Sequence, residues 1–141
     1  MKNLWMTVIV GFIAGLVISG VLFDAFVYIG KSFNRISVAW TVSKAEKSFS
    51  AGRFSDAVLL YEKVLPKINI ENKRLYAKTK NNLALSIFRN AELSNNINDV
   101  SKSIDIFLEA EQIYLAMNDK ELSEQTAKNI QAAQKAKESM N

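Results

Sequence analysis

The side chains best suited to chemistry near neutral pH are missing from this sequence. It has no His, the commonest metal ligand and the usual proton carrier. It has no Cys either, which removes thiolate metal sites and any disulfide framework. What remains for acid–base work are carboxylates and amines. Glu109 and Glu111 stand two residues apart, as do Asp119 and Glu121, and on a helix such pairs do not share a face. Glu92, Asp99, Lys102 and Asp105 suit a wet surface. No glycine-rich phosphate loop and no nucleophile elbow occurs. No catalytic residue, metal site or cofactor is expected, and the chain reads as a non-enzyme.

Charge is modest in sum and uneven along the chain. The net charge is +4 over 141 residues. Lys63, Lys67, Lys73, Arg74, Lys78 and Lys80 face the single acid Glu71 in their stretch. Further on, Asp99, Asp105, Glu109, Glu111, Asp119, Glu121 and Glu124 outnumber Lys102 and Lys120. A basic run alone suggests nucleic acid or anionic lipid. The acidic counterpart and the lack of interleaved aromatics favour a solvated bipolar surface, so no nucleic-acid partner is expected.

Two elements must position any partner-binding surface. The first is residues 1–30, where Leu4 to Phe23 runs without charge or Pro, about the length that crosses a bilayer as a helix. Its length exceeds a signal peptide's hydrophobic region, and the flanking sites are poor for cleavage: Ile18 or Phe23 would stand where a small residue is wanted. An uncleaved single-pass transmembrane anchor is expected. Gly11, Gly15 and Ser19 recur every four residues on one face, a spacing that lets a second helix pack closely and allows homo-oligomers through the span. The bland alternative is that small residues are simply common in membrane helices. Asp24 is read as a headgroup residue at the membrane boundary. Lys31, Arg35, Lys44 and Lys47 follow the span and only Lys2 precedes it, which leans toward a cytoplasmic domain.

The second element, residues 31–141, shows helical spacing and no strand signal. Phe54, Ala57, Val58, Tyr61, Val64 and Leu65 form one run that Pro66 stops. Tyr76, Leu83, Ile87 and Ala91 form another, and Ile97, Val100, Ile104, Phe107, Leu108, Tyr114 and Leu115 a third. A last helix from about Asp119 to Glu138 has little beyond Leu122, Ile130 and Ala to bury. Breaks at Ala51-Gly52-Arg53, Pro66 to Glu71, Ser94-Asn95-Asn96 and Asn118-Asp119 divide the domain into about five helices, paired antiparallel by short connections. The fold class is all-α: a transmembrane helix followed by this helical domain.

Residues 45 to 66 resemble a tetratricopeptide repeat. Ala45, Gly52, Phe54, Ala57, Tyr61 and Val64 fall on that family's small, turn and aromatic positions. Pro66 comes a few residues earlier than the family's Pro, Trp40 is one position off its Trp, and Lys44 replaces an apolar residue. A second copy runs through Leu83, Ala84, Ile87, Ser103, Ile104, Phe107 and Ala110, with about seven extra residues between its halves. Either its first helix is longer by two turns or its turn has become a loop. The last helix resembles a third first-helix or a polar cap. The resemblance covers about residues 38 to 138 and implies two repeats plus a capping helix.

This resemblance implies a scaffold whose groove holds a protein segment. The groove would be lined by Val42, Glu46 and Phe49, by Lys78, Asn81, Asn82, Leu85, Phe88 and Arg89, and by Lys128 and Gln131. Lys78, Asn81, Asn82 and Arg89 resemble the clamp by which some members grip a terminal carboxylate, although Glu46 and Leu85 stand where a clamp wants donors. The expectation is a membrane-tethered adaptor that binds other proteins, membrane proteins among them, without catalysis. The alternative is a small accessory subunit of a membrane complex, held mainly by its transmembrane helix.

Overall fold

The computed structural model describes residues 27, 28, 30, 32 and 34–140. The chain divides into two compact units, residues 1–37 and 38–141. In the first, every described residue is helical. The second is all-α: α1 covers residues 38–50, α2 Phe54–Val64, α3 Lys73–Ser94, α4 Ile97–Ala116 and α5 Lys120–Ser139.

Local chemistry sets each boundary. Three helices close with a left-handed residue, Gly52 after α1 (φ 72°), Asn95 after α3 (φ 51°) and Asn118 after α4 (φ 56°). In each case the next amide reaches back five residues: Arg53 to Ser48 O, Asn96 to Ala91 O and Asp119 to Tyr114 O, at 2.9 to 3.0 Å. These bonds satisfy carbonyls that a helix end leaves orphaned. Asn and Gly take these positions because they tolerate positive φ best. Helices α3, α4 and α5 are capped at their starts by Asn72, Asn96 and Asp119, whose side chains accept amides of the first turn, while α2 follows Arg53 without a side-chain cap.

Pro66 acts differently from a simple stop. The α-helix ends at Val64, and Leu65–Lys67 continue as one 3-10 turn with the Pro at its start, where a missing N–H costs little. The stretch from Arg89 that the sequence left open between helix and loop is helical as far as Ser94: α3 has 22 residues, and only Asn95 and Asn96 separate it from α4.

Short connections make sequential helices antiparallel neighbours, and α3 also touches α5. One core cluster joins Val38, Val42 and Ala45 of α1, Ala57, Tyr61 and Val64 of α2, and Leu83 and Ile87 of α3. Another joins Ala84, Phe88 and Ala91 with Val100, Ile104 and Phe107 of α4 and with Ile130 and Ala133 of α5. Ala77, Ala110 and Tyr114 form a third.

The transmembrane expectation is corrected. Among the described residues no helix is long and apolar enough to cross a membrane. The helices of the second unit are amphipathic, with charges along their length such as Lys78, Lys80 and Arg89 in α3 and Asp105, Glu109 and Glu111 in α4. The segment Leu4 to Phe23, including Gly11, Gly15 and Ser19, lies outside the described residues. A single-pass membrane localisation, membrane embedding and oligomerisation through that helix therefore form no part of the function developed below.

The left-handed cap at Gly52 has a measurable consequence. A Cβ there meets no atom within 4 Å, so Gly52→Ala carries only the conformational cost of positive φ, about 1 kcal/mol. Urea unfolding should show that loss, with Gly52→Asn closer to wild type. An alanine variant as stable as the parent would show that the residue is not held at positive φ.

Candidate protein-binding groove

Helices α1, α3 and α5 are tied together along one side of the helical unit. Lys78 of α3 pairs with Glu46 of α1 at 3.1 Å. On the other flank of α3, Asn81 Oδ1 accepts from the Thr126 hydroxyl at 3.2 Å and from Asn129 Nδ2 at 3.4 Å, both on α5. Elsewhere Glu62 of α2 meets Lys102 of α4 at 3.5 Å. Three cations of the basic run read from the sequence are thus paired with acids distant in the chain: Lys78 with Glu46, Arg74 with Asp119 and Lys80 with Glu109.

Between α1, α2 and α3 lies a cleft of about 280 Å³ lined by Glu46, Phe49, Ser50, Tyr61, Asn82 and Leu85. Its apolar surface comes from Phe49, Leu85 and the Tyr61 ring. Phe49 is held edge-on against Phe54 across the α1–α2 turn, with ring centroids 5.2 Å apart, a preferred aromatic geometry. Its polar surface comes from the Glu46 carboxylate, the Ser50 hydroxyl and the Asn82 amide.

Tyr61 is fully buried, and burial pushes its hydroxyl up to about 12. A hydrogen bond with the Asn82 side chain opposes that rise, and the nearby Glu46 charge adds to it. The cleft thus holds a neutral phenol beside an amide and a carboxylate. Tyr114, equally buried among α3 and α4, is likewise pushed up to about 12 by burial; Asp119 adds to the rise and Arg74 opposes it.

The candidate residues on α3 divide into two stripes. Lys78, Asn82, Leu85 and Arg89 follow steps of four, three and four residues and share one face. Of these, Asn82 and Leu85 line the cleft and Lys78 holds Glu46 beside it. Arg89 is exposed, pairs with Glu92 at 2.7 Å and lies over the Phe88 ring. Asn81 and Phe88 sit seven residues apart on the neighbouring face, about 100° around the helix. Asn81 is bonded to α5, and Phe88, 3% exposed, packs in the core with Val100, Phe107 and Ile130. The four clamp-like residues therefore do not converge on one point. Val42 is a core residue, while Lys128 and Gln131 are exposed on α5.

Ser50 and Tyr61 complete the cleft without having been singled out in the sequence as groove residues. Tyr61 carried a usable signal: a buried tyrosine hydroxyl needs a polar partner, so its position marks where the core opens. Among the described residues no group of acidic side chains could hold a metal ion. No protein-family model, no curated protein and no solved structure matches this chain.

The raised tyrosines make the fold lose stability at alkaline pH. An unfolded tyrosine titrates near 10 and the folded ones near 12. The stabilisation is fully present below pH 10 and is lost as pH rises through 12, because the unfolded chain releases its protons first. Each residue is worth roughly 2–3 kcal/mol across that window. Urea unfolding between about pH 8 and about pH 11.5 should show Tyr61→Phe losing less stability than wild type. Parallel pH profiles would refute the assignment.

Proposed function

We propose that this chain is a protein-interaction scaffold whose α1–α2–α3 cleft receives one large apolar side chain of a partner protein, and that it performs no chemistry of its own. The observation that carries this reading is the cleft itself: a Phe49–Tyr61–Leu85 floor rimmed by Glu46, Ser50 and Asn82. At about 280 Å³ it falls just short of the ~300–1,000 Å³ usual for small-ligand sites, which suits a single anchoring side chain. Buried apolar anchors of that kind carry most of the energy of protein interfaces. The polar rim can satisfy the backbone amide groups on either side of the anchor. The tetratricopeptide-like spacing of Ala45, Gly52, Phe54, Ala57 and Tyr61 supports the same reading, because arrays of that kind serve as scaffolds.

The test is capture of a defined partner by the tagged full chain purified from its own cells. Phe49→Ala and Leu85→Arg should each weaken recovery of that partner about tenfold or more, the scale of losing a central anchor. Phe49 and Leu85 also pack against the first and second core clusters, so recovery is compared under conditions in which urea unfolding shows each variant fully folded. Phe88→Ala is unsuitable, because emptying that core site costs about 3–5 kcal/mol and unfolds the domain. Undiminished recovery with both cleft variants, or turnover of a small molecule by the purified chain, would overturn the proposal.

A further inference from the structure

A larger cavity lies apart from the groove, between the turn after α2, the start of α3 and the end of α4. Its volume is about 380 Å³, inside the ~300–1,000 Å³ range of small-ligand sites. Ile70 of the turn, Tyr76 of α3 and Ile113 of α4 give it apolar walls. Sunk among them is one cation. The Lys80 side chain is only 14% exposed, its Nζ stands 5.4 Å from the centre of the Tyr76 ring, and it is paired with Glu109.

The two partners of that ion pair are unequally held. Glu109 is 56% exposed, so it reaches Lys80 from the solvent side, where an incoming carboxylate can take its place on the ammonium. Lys80 is fixed between α3 and α4. Lys73, from the first turn of α3, also lines the cavity. Two lysines against one carboxylate leave the chamber with a positive charge in excess.

We propose that this cavity binds a small amphipathic carboxylate, its apolar body against Tyr76 and Ile113 and its carboxylate on Lys80. The charge surplus selects an anion, and the apolar walls select one that carries a hydrocarbon or aromatic body. Gln112 at the rim can donate a further hydrogen bond to the second carboxylate oxygen. Burial holds Lys80 below the ordinary lysine value, and an incoming anion offsets that penalty by favouring the ammonium form. The site is independent of the groove, sharing none of its lining residues.

Octanoate is the probe, titrated calorimetrically into the full chain, with acetate, octanol and octylammonium as comparators. Octanoate should bind at least about tenfold more tightly than any of the three, the scale of one charge-assisted hydrogen bond. Ile113→Trp fills the chamber and should abolish binding, and Lys80→Met should weaken it about tenfold or more. Glu109→Gln removes the competing carboxylate and should strengthen binding several-fold, a direction that general loss of structure does not produce. If Lys80→Met fails to fold, Glu109→Gln decides: unchanged or weaker octanoate binding overturns the proposal. It is equally overturned if wild type takes up no octanoate below about 10 mM, if octanol or octylammonium binds as well, or if Ile113→Trp binds normally.

Discussion

Close approach of helix backbones at alanine is the constraint on which the rest of this structure depends. Ala45, Ala57, Ala77, Ala84, Ala91, Ala110 and Ala133 have no exposed surface. A larger residue at any of them would hold two axes apart and open gaps that native packing does not tolerate. Large side chains then fill the spaces that such crossings leave to either side. Tyr61, Phe107 and Tyr114, each at most 1% exposed, occupy those places. The cleft follows from this arrangement, because Tyr61 fills the α1–α2 crossing and turns its hydroxyl to Asn82 at the opening.

The polar residues inside the unit make few demands of their neighbours. Thr79, Ser86 and Ser103 bond to carbonyls three or four residues back in their own helices, at 2.7 to 2.8 Å. Among the described residues no buried side-chain nitrogen or oxygen lacks a partner. Buried hydroxyls satisfied within one helix avoid the cost of an unpaired group while leaving the crossing geometry to the alanines. Thr126 differs: its hydroxyl serves both Leu122 O and Asn81 Oδ1 and so helps fix α3 against α5.

Punctuation was the most legible part of the sequence, and side-chain direction the least. Gly52, Asn95 and Asn118 mark turns because few residues accept positive φ, and the structure has its helix ends there. Whether the stretch from Arg89 to Asn96 is helix or loop was open in the sequence; the helix runs on to Ser94. On α3 a one-residue step decides everything. Asn82 faces the cleft while Asn81 faces α5, and two adjacent amides in a sequence carry no mark of that difference. The opposed charge runs were legible as a balance but not as pairs, because Glu46 and Lys78, or Arg74 and Asp119, meet only through tertiary packing. The transmembrane expectation rested on the length of the uncharged run from Leu4 to Phe23, which lies outside the described residues; among the described residues no helix is long and apolar enough to cross a membrane.

The length of α3 carries a consequence for how the unit holds together. Its 22 residues extend about 33 Å, twice the reach of the 11-residue α2. Leu83 and Ile87 belong to the first core cluster, Ala84, Phe88 and Ala91 to the second, and Ala77 to the third. A single rod is therefore common property of all three cores, and neither helical hairpin owns an interior of its own. Repeats that look modular in sequence are indivisible in energy here: peeling off either end strips apolar surface from the same central helix. Removing one hairpin leaves the remainder with an exposed half-core in place of a smaller complete protein.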